Sequence, residues 1–143
     1  MPSVFTHIIN GDLPGRFVWK DGTAVAFMTI EPVTPGHVLV VPRKEIDHWE
    51  QIDTPTFTHV SGVAQKIGRA VKAAYDAPRM GLLIAGLEVP HLHLHVFPAH
   101  SLESFDLTKA DHDASPESLD EAAEKIRASL RALGYGENVP DTA

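Results

Sequence analysis

Three of the chain's nine histidines fall within five residues, as His91-Leu92-His93-Leu94-His95. In a strand, alternate side chains share a face and residues rise about 3.3 Å each, so the imidazoles would form a row roughly 13 Å long while Leu92, Leu94 and Val96 face the other way. One face is then core and the other chemistry. Two histidines two apart on a strand are common zinc ligands, and a catalytic zinc needs three protein ligands and an open position. Ligands about 2.1 Å from one ion lie within about 4 Å of each other, so the outer two of a flat row cannot share it, and a carboxylate or His37 has to replace one of them. The other use is covalent: a neutral imidazole attacks an electrophile while its neighbours donate hydrogen bonds to the developing charge. A row suits that better than a ring. A plain surface patch of histidines is the bland alternative.

Such a row needs strands beside it and helices behind. Ser3 reads as the N-cap of a short helix over residues 4–10, with Phe5, Ile8 and Ile9 inward and Gly11 as the stop. Residues 17–19 and 24–28 flank Lys20-Asp21-Gly22-Thr23, an Asp-Gly hairpin signal. Residues 37–41, closed by Pro42, predict a third strand. Thr54-Pro55 reads as cap plus proline at the head of a helix of about 20 residues, with Phe57, Val60, Ala64, Ile67, Val71 and Ala74 at helical spacing. Residues 80–85 and 91–97 predict strands four and five. Ser115-Pro116 repeats the cap before Leu119, Ala122, Ala123, Ile126, Leu130 and Leu133, with Gly134 as the stop. The pattern predicts an α+β domain over residues 1–134 with a mainly antiparallel sheet, one long helix inserted between strands, a C-terminal helix, and a loose tail over 135–143.

Composition narrows the function. At 143 residues the chain fits one domain, and the absence of cysteine excludes disulfides, thiolate zinc sites and a cysteine nucleophile. The net charge of −7 is the wrong sign for tracking a nucleic-acid polymer. It is also uneven: ten of the 19 acids but only four of the 12 bases lie in residues 101–143, so the body is near neutral and can still hold a small anion. With no membrane-length apolar stretch and no signal-peptide order in residues 1–10, a soluble cytoplasmic protein without membrane partners is expected.

His91-Leu92-His93-Leu94-His95-Val96-Phe97 matches the signature of the histidine triad (HIT) family of nucleotidyl hydrolases and transferases. Residues 5–15, with Ile8-Ile9-Asn10-Gly11-Asp12, and residues 26–42, with Pro35-Gly36-His37-Val38-Leu39-Val40-Val41-Pro42, are similar to its opening helix and second segment. The resemblance implies a homodimer with a five-stranded antiparallel sheet per subunit. It also implies a two-step reaction at the α-phosphorus of a nucleotide derivative, needing no metal or other cofactor. His93 would be the nucleophile, His95 would donate to the phosphate, and His91 and His37 would orient the network. Phe27, Thr29, Ile30, Leu87, Glu88 and Val89 would line the substrate.

Departures from the family pattern bear on substrate. Ser3 and Thr6 stand where many members carry a zinc-binding cysteine pair, so neither structural zinc nor sensitivity to chelators is expected. Thr29 stands in place of a ribose-binding Asp or Asn. Gly86-Leu87-Glu88-Val89 replaces Gly-Gln-Ser/Thr-Val, which removes phosphate-holding side chains. Two readings follow: a hydrolase or transferase acting on phosphoramidates, acyl-nucleotides or similar derivatives, or a dimeric nucleotide-binding module with little turnover. Glu88, if it faces the site, selects against highly anionic substrates. Trp49 reads as packing at the start of the long helix, and His7, His59, His100 and His112 carry no assigned role.

Overall fold

The Ser3 hydroxyl accepts the Thr6 N–H and caps α1 (Val4–Ile9), after which Gly11 turns the chain at φ +85°. In the computed structural model, which describes residues 2–141, there follow β1 (Phe17–Lys20), β2 (Ala24–Met28), β3 (Val38–Pro42), α2 (Thr54–Tyr75), β4 (Arg79–Leu83), β5 (Leu94–Ala99) and α3 (Pro116–Ala132). The Asp21 carboxylate takes the Thr23 and Ala24 N–H groups and so closes the expected hairpin. Each neighbouring pair is antiparallel, in the order β1-β2-β3-β5-β4, so β5 enters between β3 and β4. This is the α+β arrangement the pattern predicted.

Strand alternation divides the interior into two layers. Val18, Ala26, Val38, Val40, Leu94 and Val96 pack against Ile67 and Val71 of α2 and Ile126 and Leu130 of α3. The opposite face carries Phe17, Val25, Phe27, Leu39 and Val41, with Phe5 of α1 over them. Buried Arg127 of α3 donates from Nε to the Phe17 carbonyl at 2.8 Å, and Asn138 donates to that of Lys20 at 3.2 Å. No helix among the described residues is long and apolar enough to cross a membrane.

Several boundaries depart from the sequence reading. α2 is capped by Asp53, whose carboxylate accepts the Thr56 N–H, and Thr54 is already helical. β3 runs through Pro42, which lies opposite Ala24 after the pairing with β5 has ended at Val40. β4 starts at Arg79 and ends at Leu83, not Ala85. β5 begins at Leu94 rather than His91: the His91 N–H turns back to the Val89 carbonyl and the Leu92 N–H goes to Ile46, so neither joins a ladder. It continues through Pro98 because pairing with β3 stops at Val96, leaving β4 as its neighbour. Leu133 is exposed at the end of α3. Of the segment expected as a loose tail, Val139 packs into the core cluster; residues 142 and 143 lie outside the described residues.

Candidate active site

His91, His93 and His95 keep the predicted alternation although only His95 lies in β5: Leu92, Leu94 and Val96 join the helix-covered core and the imidazoles take the other side. His37, just before β3, completes a group of four buried histidines. Hydrogen bonds fix their protons. The Val33 N–H donates to His37 Nδ1 at 3.1 Å, so the His37 proton sits on Nε2 and is donated to His95 Nδ1 at 2.9 Å. The His95 proton is therefore on Nε2. His93 Nδ1 lies 2.8 Å from the His91 carbonyl, which can only accept, so His93 carries its proton on Nδ1 and a lone pair on Nε2.

Among the described residues neither the His93 nor the His95 Nε2 has a protein partner, and no fully buried polar side-chain atom is left unpaired. Both nitrogens thus reach the surface. The two rings are adjacent, centroids 4.9 Å apart, which sets a nucleophilic nitrogen beside a hydrogen-bond donor. His93 is only 6 % exposed and meets Phe5 edge-on at 4.9 Å, so it is a packed residue as well as a site residue.

Burial keeps these rings neutral. It pushes His37 down to about 3, with help from the neighbouring charges of His95 and His93, and His95 down to about 4, with help from His93. His93 is lowered by burial against the pull of the His91 carbonyl and the carboxylates of Glu88 and Asp47. His91 is likewise lowered by burial, opposed by the Pro42 carbonyl and Glu45.

The expected substrate residues lie in different settings. Phe27 is a core residue beneath Phe5 and Phe17. Thr29 accepts the Glu31 N–H through Oγ1, leaving its hydroxyl hydrogen free to donate. Ile30 is 68 % exposed, Leu87 is 92 % exposed, Glu88 is exposed and Val89 packs against the Phe5 cluster. Trp49 keeps half its surface exposed while its ring lies 6.0 Å from that of Phe57.

Ser3, Thr6 and Glu45 form a group with His91 that the sequence reading did not assemble. Ser3 Oγ lies 2.7 Å from His91 Nδ1, and Glu45 Oε1 accepts from the Ser3 N–H at 2.7 Å and the Thr6 hydroxyl at 2.6 Å. Structural zinc asks for four thiolate, imidazole or carboxylate donors, and this group offers one imidazole and one carboxylate with hydroxyls in the other places, so it does not fit the metal. No signal marks Glu45 in the sequence, because the contact joins segments 46 residues from the triad and 42 from Ser3.

The HIT domain profile matches residues 10–102, and the chain belongs to that family. An uncharacterised HIT-like protein of Methanocaldococcus jannaschii is 32 % identical over 101 residues, covering 68 % of this chain and 78 % of its own. The adenosine 5'-monophosphoramidase of Schizosaccharomyces pombe is 23 % identical over 133 residues, covering 92 % of this chain and all of its own. Among solved structures, a hypothetical histidine triad nucleotide-binding protein of Sulfolobus tokodaii is similar with a TM-score of 0.79 and 28 % identity, over 93 % of this chain and 96 % of that one.

Proposed function

We propose that the protein is a HIT-type nucleotide hydrolase or nucleotidyl transferase that cleaves phosphoramidates, acyl-nucleotides or similar nucleotide derivatives at the α-phosphorus. The observation that carries this reading is the opposed protonation of adjacent rings, a lone pair on His93 Nε2 beside a proton on His95 Nε2. His93 Nε2 attacks phosphorus and forms a P–N bond as the bond to the leaving amine breaks, the amine departing with a proton from solvent. His95 donates to the phosphoryl oxygen as its charge grows. Water then attacks the nucleotidyl-His93 intermediate, losing a proton to solvent as the P–N bond breaks and returns its electron pair to the imidazole. His37 and His91 keep the two tautomers in place. Thr29 donates to the ribose, Ile30, Leu87, Glu88 and Val89 border the substrate, and Phe27 supports it from beneath. The phosphoramidase activity of the S. pombe relative supports this choice of substrate class.

A homodimer belongs to the same proposal. β4 ends the sheet, and beside it a cavity of about 660 Å³ runs along Gly62, Ala64 and Gly68 of α2 to Met80 and Leu82. Small residues there let a second copy approach closely; light scattering at twice the chain mass is the expected result.

Mixing the protein with adenosine 5'-phosphoramidate and quenching in the first turnovers tests the chemistry. The expected result is an intact-mass increase of one adenylyl group, absent from His93→Ala. Turnover with no adduct and an active His93→Ala variant would overturn the covalent step. Tight nucleotide binding without turnover would favour the binding-module reading, for which exposed Leu87 and Glu88 speak.

A further inference from the structure

We propose that Glu45 is a positioning residue for His93, acting through Ser3, Thr6 and His91 to hold the carbonyl that fixes the tautomer of the nucleophile. The inference rests on the reading of His93 as nucleophile and extends the site to the first turn of the chain.

Among the described residues the stretch before Leu94 is not paired in the sheet, so strand ladders do not hold His91, Leu92 or His93. What holds them are the bonds from the His91 N–H to Val89, from the Leu92 N–H to Ile46 at 2.7 Å, and from the His91 side chain. His91 Nε2 lies 2.8 Å from the Pro42 carbonyl, which can only accept, so the His91 proton is on Nε2 and Nδ1 must accept. Its donor is the Ser3 hydroxyl at 2.7 Å.

That assignment fixes the rest. A hydroxyl has one hydrogen, so Ser3, having given it to His91, does not donate to Thr6, and Thr6 is left to donate to Glu45. Glu45 takes both the Thr6 hydroxyl and the Ser3 N–H on one oxygen. Every hydrogen bond in the group then runs one way: Glu45 anchors the first turn of α1, Ser3 anchors the His91 ring, and the His91 carbonyl takes the His93 Nδ1 proton. The ring is wholly buried, so a missing partner cannot be replaced by bulk water. Without Glu45 the Thr6 hydroxyl, 3.5 Å from His91 Nδ1, competes with Ser3 for the same nitrogen and the first turn loses its tether. The His91 backbone then shifts, and His93 can place its proton on Nε2, the form that cannot attack.

The test is histidine-selective ¹⁵N NMR with steady-state kinetics on wild type, Glu45→Ala, Glu45→Gln and Thr6→Val. In wild type His93 is expected as a single Nδ1–H tautomer and His91 as Nε2–H. Glu45→Ala should mix the His93 tautomers and lower kcat by about tenfold with KM within about twofold, because positioning and not binding is lost. Glu45→Gln, whose amide oxygen accepts the same two donors, should restore both readouts. A folded Glu45→Ala variant with an unchanged His93 tautomer overturns the proposal. If that variant does not fold, Thr6→Val decides on the same spectrum: mixing supports the chain of bonds, and a wild-type tautomer overturns it. The spectrum needs no turnover, so a wild-type protein inactive on phosphoramidates would defeat the nucleophile reading while the tautomers still decide the role of Glu45.

Discussion

The two faces of the sheet are built on opposite principles. Behind it, α2 and α3 lay long amphipathic helices on aliphatic strand residues, and the layer holds Ile67, Val71, Ile126 and Leu130 with essentially no accessible surface. In front, a six-residue helix covers aromatic rings and buried imidazoles, each imidazole tied by a hydrogen bond to its neighbour, to backbone or to Ser3. Aliphatic burial stabilises whatever the pH, at about 25 cal/mol per Å². A buried imidazole contributes only while neutral and partnered, so the front face gives up robustness for a defined set of protons.

The contrast can be broken most sharply at its chemical end. His93→Ala should lower kcat/KM on a nucleoside phosphoramidate by about a thousandfold or more. Because His93 packs on Phe5, the variant should also lose about 1–2 kcal/mol of stability in urea titration, more than an exposed side chain would cost. Ile67→Ala is the converse: about 2–5 kcal/mol of stability lost, with activity per folded molecule within about twofold of wild type. Large catalytic loss in a folded Ile67→Ala protein would show that the faces are not separable.

Smaller changes sharpen the comparison. Glu88→Ser should raise kcat/KM by about tenfold: a carboxylate facing the site at about 5 Å from a phosphate would oppose each unit of its negative charge by roughly 3 kcal/mol at an effective dielectric of about 20, before screening. An unchanged value in a folded variant would mean that Glu88 points away. The acid limb of kcat/KM should fall below the ordinary imidazole value of about 6.5, because His93 and His95, the latter near 4, stay neutral into acid. A limb at 6.5 or above would contradict the buried network. The smallest effect belongs to Glu45, which the Thr6 hydroxyl and then the Ser3 N–H hold at about 2. Its folded value lies below the unfolded one, so its stabilisation is whole above about 4.5 and fades as pH falls toward 2. The stability difference between wild type and Glu45→Ala should shrink over that window.

What the sequence disclosed followed from local rules. The Ser3 and Ser115 caps, the Asp21 turn and the alternation of leucine with histidine each depend on neighbours within a few residues, and each is present. The sequence does not single out Asp53, because Asp53 and Thr54 are both good caps and only backbone angles choose between them. The late start of β5 was hidden because alternation persists through His91–His93 without ladder bonds, and Pro98 deters a strand only where a neighbour requires its N–H. The tautomers rest on the Val33 N–H and the Pro42 and His91 carbonyls, backbone groups whose contributions exist only once the chain is folded.

Strand edges govern how far a sheet can grow. At β1 the Phe17 and Lys20 carbonyls are already taken by Arg127 and Asn138, from a part of the chain over a hundred residues later, while β4 ends the sheet on the other side. Sheets open at both ends can string together without limit; one sealed at one end can meet a single like partner, after which neither has an edge to offer. The seal arrives last, since the ribosome releases Arg127 and Asn138 only after the whole sheet has been made. Until then the nascent chain has two open edges, and α3 together with the Asn138 segment is what closes the one at β1.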